Sequence, residues 1–177
     1  MALSLDNLDS KTRQLMVEEI ERDDANGTLY FSSRLSDSGR KEYGFLLLKA
    51  AQDHDDTWLA NALRAEDRMN ALEQKRKSSG GFTTAKVPVN APDTLAEGEF
   101  NRFYIRGLCR RAIDEGIQEL MIVRAKAVNV PRPESLAKIG MRVNAQNLLD
   151  DLRANPGVDA ALGLPAGPNS GLSIKLP

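Results

Sequence analysis

The sequence predicts an α+β, mainly helical fold. It divides into an N-terminal three-helix unit, a C-terminal helix-and-strand unit, and an extended C-terminal tail. Three observations carry this expectation. Apolar residues recur at three- and four-residue spacing in three stretches before residue 74, and again over 95–113. A continuous apolar run, Leu120 to Val123, follows soon after Gly116 and is too short for a helix of its own. The chain ends in alternating apolar and polar residues after a segment dense in proline and glycine.

Taken in order, Asp9 or Ser10 can cap a first helix that continues to Ala25. Leu8, Leu15, Met16 and Ile20 fall on one side of it, and Glu18, Glu19, Arg22 and Asp23 on the other. Asn26 and Gly27 end it, and residues 28–31 form a short extended connector. Ser36 or Asp37 caps a second helix whose Tyr43, Leu46, Leu47, Ala50 and Ala51 make it central. The acidic run 53–56 breaks that helix and caps a third, with Trp58, Leu59, Ala62, Leu63, Met69 and Leu72 on one stripe. From Gln74 the composition shifts to Lys75, Arg76, Lys77, Ser78, Ser79, Gly80 and Gly81, which reads as a flexible linker. Residues 82–89 alternate like a strand, and Pro88 restricts them to an edge or an extended arm. The expected organisation is therefore a helical unit over 1–77, a linker and arm over 78–92, a second unit over 93–160 and a tail over 161–177.

The second unit is organised around a helix over 93–115, opened by Pro92 and Asp93 or Thr94 and closed by Gly116. Leu95, Phe100, Phe103, Tyr104, Leu108, Ala112 and Ile113 give it an apolar side. Gly98 and Gly107 each cost roughly 1 kcal/mol against alanine, so a close backbone approach is expected there. The strand over 119–124 is expected to be buried on both faces. Residues 130–133 form a stiff loop and 134–139 one or two helical turns. Asn144 then caps a last helix with Leu148, Leu149 and Leu152 inward. In the tail, Leu172, Ile174 and Leu176 alternate with Ser173 and Lys175 and require a sheet edge to receive them. That edge is either residues 121–123 or a neighbouring subunit. The length of the spacer 163–171 favours the neighbour.

Charge and motifs exclude more than they assign. With 24 basic and 25 acidic residues and a net charge of -1, no global field draws the chain to nucleic acid or membrane. The single cysteine, Cys109, allows no internal disulfide and reads as a structural thiol in a reducing compartment. No apolar run approaches the ~18 residues of a membrane span, and no signal peptide is evident. The one histidine, His54, lies among Asp53, Asp55 and Asp56, where helix capping accounts for the aspartates without a metal. No phosphate loop and no serine–histidine pairing is present, and Glu97 and Glu99 read as partners of the helix dipole. No catalytic residue, metal or cofactor is therefore expected. The remaining group is Arg102, Arg106 and Arg110, a ladder at four-residue spacing along the long helix. Such a ladder serves either nucleic-acid phosphates or acidic partners within the protein or on a neighbouring subunit, and the structural reading is preferred.

Two stretches carry a likeness. They are Leu95-Ala-Glu-Gly-Glu-Phe-Asn-Arg-Phe-Tyr-Ile-Arg-Gly-Leu-Cys-Arg-Arg-Ala112, and Arg124-Ala-Lys126 leading to Pro131-Arg-Pro-Glu-Ser135. With the Gly167-Pro-Asn-Ser-Gly171 segment they resemble uncharacterised proteins encoded in the structural gene clusters of tailed bacteriophages and prophages. The likeness covers the C-terminal half. The N-terminal helical unit is similar in style to the small helical adaptors of the phage neck, between portal and tail, and no functional residue is carried over. The resemblance implies a virion structural component, made in the host bacterial cytoplasm. It would act as a homo-oligomer in a ring or lattice through contacts with portal, capsid or tail proteins. Head–tail connector, minor capsid protein and capsid-associated protein all remain open. The reading from another class is a cytoplasmic nucleic-acid-binding regulator that uses the arginine helix.

Overall fold

The computed structural model describes residues 2–127, 129–157 and 171–177. Its helices start where the sequence supplies caps. The Asp9 carboxylate accepts from the Thr12 amide at 3.1 Å and opens α1 (Ser10–Ala25). Ser36 Oγ accepts from the Gly39 amide at 3.0 Å and opens α2 (Asp37–Asp53). Asp55 accepts from the Trp58 amide at 2.8 Å and opens α3 (Asp56–Arg64). The third helix stops well short of Met69 and Leu72, which the apolar stripe had assigned to it. Glu66 and Asp67 take positive φ and turn the chain back across the start of α2. There Ser36 N donates to Arg68 O at 2.9 Å, and Leu35 bridges Met69. Gly39 makes this crossing possible, because a Cβ at that position would lie 2.0 Å from Arg68 O.

The expected linker is a β-hairpin. Strands β1 (Leu72–Arg76) and β2 (Phe82–Lys86) pair antiparallel from Leu72↔Lys86 to Arg76↔Phe82. Gly80 and Gly81 both take positive φ in the connection. Serine and glycine serve a tight turn as readily as a flexible linker, and here the flanking residues pair. Helix α4 (Ala91–Asp114) follows, two residues earlier than expected, with Pro92 in its first turn. Then come β3 (Glu119–Arg124), α5 (Pro133–Lys138), β4 (Arg142–Asn144), α6 (Ala145–Ala154) and β5 (Leu172–Lys175). Asn144 Oδ1 accepts from the Asn147 amide at 3.0 Å, the cap expected for α6.

α4 is the hub. It packs on α1, α3 and α6 and also meets β5. One apolar cluster therefore includes Met16 and Ile20 of α1, Leu59 and Leu63 of α3, Phe103 and Leu108 of α4, and Leu149 of α6. This core crosses the expected boundary at 78–92, so α1–α3 share one interior with α4, β3, α6 and β5. Gly107 supplies the expected close approach: a Cβ there would lie 3.0 Å from Met16 N and 3.1 Å from Thr12 O. Gly98 has no such neighbour, and Ile113, placed on the apolar side by spacing, is exposed.

The second sheet has the order β4-β3-β5, with both pairings antiparallel. β3 buries one face rather than two. Leu120 and Ile122 are buried, while Met121 and Val123 opposite are half-buried. The tail finds its edge inside its own chain, in register Ile122↔Ile174 and Arg124↔Leu172, which corrects the preference for a neighbouring subunit. Leu172, Ser173 and Ile174 are buried, and Leu176 packs against the core. Of the spacer expected over 163–171, residues 163–170 lie outside the described residues. Because the strand completes the core, Ile174→Ala should cost about 2–5 kcal/mol. Deletion of 171–177 should lower the melting temperature of the isolated monomer, and an unchanged monomer melt would contradict this assignment.

Candidate functional site

The arginine ladder was the sequence's leading candidate. Four-residue spacing on α4 keeps the three guanidiniums along one line, and that line is the seam between α4 and its neighbours. At the first rung, Arg102 Nη1 donates to Asn155 O at 2.8 Å, just beyond the C-terminal turn of α6, where free carbonyls and the negative end of the helix dipole favour a cation. Its Nε also lies 3.4 Å from Glu99.

The second rung is the most deeply placed. Arg106 is 1% exposed. Its Nε and Nη2 donate to Glu19 Oε2 at 2.9 and 2.7 Å, and Nη1 and Nη2 donate to Asp23 at 2.5 and 2.8 Å. The ring of Phe103 lies 4.8 Å from the guanidinium carbon, a cation–π contact. Glu19 also accepts from Arg153 of α6 through Nε at 3.0 Å and through Nη2. At the third rung, Arg110 donates to Glu18 at 2.7 Å. Spacing alone had put Glu19 and Asp23 on the polar side of α1, yet both are buried against α4. The guanidiniums make that burial possible.

The protonation behaviour follows from the same geometry. Burial works against an ionised Glu19, but hydrogen bonds and charge from Arg153 and Arg106 outweigh it and hold the carboxyl below the ordinary value of 4.5. Burial likewise opposes the charge on Arg106, and Asp23 and Glu19 more than restore it. Glu99 differs: burial raises its pKa, and the nearby Arg102 only partly offsets this. Neither glutamate near the start of α4 is simply a dipole partner, since Lys126 Nζ donates to both oxygens of Glu97 at 2.6 and 2.5 Å. Burial pushes the Cys109 thiol up, as suits a packed structural thiol.

His54 is stacked on Trp58 with ring centroids 4.3 Å apart, in a shallow depression beside Leu3, Leu5 and Leu8. Asp55 is occupied as the cap of α3. Among the described residues no cluster of ligating side chains could hold a metal ion. No described helix is long and apolar enough to cross a membrane.

The tail residues Leu172, Ile174 and Leu176 lie with the ladder rather than apart from it. Asn101 Nδ2 donates to Leu172 O at 2.8 Å and Tyr104 Oη donates to Ile174 O at 3.2 Å, so α4 occupies carbonyls along the outer edge of β5. Burial raises the Tyr104 phenol to about 12, which keeps that donor protonated. Leu176 N donates to Asn7 Oδ1 at 2.9 Å and fastens the end of the chain to the N-terminal segment. Two surfaces escaped the sequence reading. One is the edge of β4 with the segment before it, which carries exposed Leu136, Ile139 and Met141, and the other is the β1–β2 hairpin with exposed Leu72 and Phe82. Compared with protein-family models, with curated proteins and with solved structures, the chain matches none.

Two measurements check the seam. Arg106→Met leaves Glu19 and Asp23 facing an apolar side chain and should cost about 3–5 kcal/mol. The triple change Arg106→Met, Glu19→Leu, Asp23→Leu should lose less, because no fully buried charge is orphaned. As for pH, a carboxyl depressed in the folded state stabilises fully above its unfolded value and loses this as pH falls through its folded value. The stability gap between wild type and Glu19→Gln should therefore narrow below about pH 4.5, as measured by denaturant titrations across pH.

Proposed function

We propose that the chain is a structural subunit of a tailed-phage virion, a head–tail connector of the neck-adaptor kind or a capsid-associated protein, acting through contacts with neighbouring subunits in a ring or lattice. The observation that carries this reading is the asymmetry of the second sheet. One edge, β5, is closed by Asn101 and Tyr104. The opposite edge, β4, carries no further strand among the described residues. Met141, the residue before this strand, and Leu136 of the preceding α5 are 55% and 51% exposed. An open strand edge preceded in the chain by large exposed apolar side chains suits a second subunit, which would cover the apolar groups and pair the free backbone. The resemblance of 95–112 and 124–135 to proteins of phage structural gene clusters supports placing that assembly in a virion. The arginine ladder favours the structural role over the regulator reading, because its rungs meet Glu18, Glu19, Asp23 and the end of α6.

Expression with the rest of a phage structural cluster, followed by sedimentation of assembled particles, tests this. The chain should travel with the particles. The double variant Leu136→Ser, Met141→Ser should stay within about 0.5 kcal/mol of wild-type stability, since both side chains are exposed, yet be depleted from particles. A chain that remains wholly in the free fraction, or a variant incorporated as well as wild type, would overturn the proposal.

A further inference from the structure

The hairpin is a basic arm. Lys75, Arg76, Lys77 and Lys86 are all exposed, and among the described residues none of them enters an ion pair. Its one acidic residue, Glu73, is neutralised by Arg34 of the body, whose Nε and Nη2 donate to it at 2.6 and 3.2 Å. That bond ties the base of the ribbon to the body, while Lys75, on the same face but nearer the turn, stays exposed. The other face carries Leu72, Gln74 and Arg76 opposite Lys86, Thr84 and Phe82, and it has no acidic group. Phe82 is 69% exposed and lies directly across from Arg76. Elsewhere cations such as Arg106, Arg110, Arg111 and Lys126 are matched to carboxylates. An unmatched set gathered on one projecting element therefore stands apart from a chain whose net charge is -1.

We infer that this hairpin is a DNA-binding arm that enters the major groove of a duplex. Strand alternation puts Arg76 and Lys86 on one face and Lys75 on the other, with Lys77 at the turn, so the cations surround the ribbon. A flat acidic protein surface would meet only one of these faces. A groove walled by phosphates on both sides meets all of them. The major groove of B-form DNA, about 12 Å wide, admits a two-stranded β-ribbon, whereas the deep, narrow major groove of A-form RNA does not. In this arrangement the lysines and arginine contact phosphates and set affinity, while Phe82 makes apolar contact with base edges. The proposal is independent of the open β4 edge and concerns a different part of the surface.

The test is fluorescence anisotropy with the full chain and a labelled DNA duplex of about two helical turns, over a series of salt concentrations starting near 50 mM. Binding should weaken steeply with salt. Lys75→Gln with Lys77→Gln should lower the slope of log K against log salt by about 2 and weaken low-salt binding roughly tenfold or more. Phe82→Ala should weaken binding but leave the slope unchanged, and Lys41→Gln, at an exposed site on α2, should change neither. All four substitutions fall on exposed residues, and each variant's thermal melt confirms that it is folded. A duplex RNA of equal length should bind more weakly. The inference is overturned if no duplex binding occurs at low salt, if the double lysine variant binds like wild type, if RNA duplex binds as tightly as DNA, or if the arm binds polyglutamate in preference to DNA.

Discussion

A guanidinium at 1% exposure must be met by anions, and that requirement fixes how the helices of this protein sit. Removing an ion from water costs several kcal/mol even after the surroundings relax, so Arg106 is tolerable only where Glu19 and Asp23 reach it together. Glu19 in turn answers Arg153, which brings α6 to the same point. One carboxylate thus joins three helices. Sliding α4 by one residue would rotate its side chains by about 100° and leave charges facing apolar groups, whereas an all-apolar seam would tolerate several registers. Gly107, the residue after Arg106, lets the α1 backbone come close enough for these bonds to form.

The same helix sets the rest of the architecture. On other sides α4 offers Phe103 and Leu108 to the core, Asn101 and Tyr104 to β5, and Glu97 to Lys126 just after β3. α1, α3 and α6 each pack on α4 more than on any other element, which is why N-terminal and C-terminal sequence condense into a single interior. The hairpin between α3 and α4 leaves this interior undivided. Its strands pair with each other and touch the body through Glu73 and Arg34.

Local chemistry was legible in the sequence, and the identity of partners was not. Asp9, Ser36, Asp55 and Asn144 could be recognised as caps because a cap acts within three residues of itself. The bounds of β3, and those of α4 to within two residues, followed from periodicity and from the glycine at 116. The ladder was different. Four-residue spacing defines a line on a helix but says nothing of what lies across from it. The complementary signal, Glu19 and Asp23 at the same spacing on α1, was present but resembled an ordinary solvated face. Ser-Ser-Gly-Gly was ambiguous for a related reason, since glycine permits the turn of a hairpin and the disorder of a linker alike. The destination of β5 depends on a contact about 50 residues away in sequence, and alternation identifies a strand without identifying its neighbour.

The arrangement also separates what stabilises the protein from what it presents. Leu72, Phe82, Leu136, Ile139 and Met141 are large and apolar, yet all stay out of the core cluster and lie on segments inserted between its elements. Substitution at such positions changes folding free energy little, so the fold itself does not require apolar side chains there. Exposure of these groups to water brings no benefit to an isolated chain. The same holds for the unmatched cations of the hairpin, in a protein that elsewhere brings guanidiniums to carboxylates even where they are buried. Residues that the fold does not need, placed on elements that project from it, are where interaction with other molecules can be selected without disturbing the Arg106 seam.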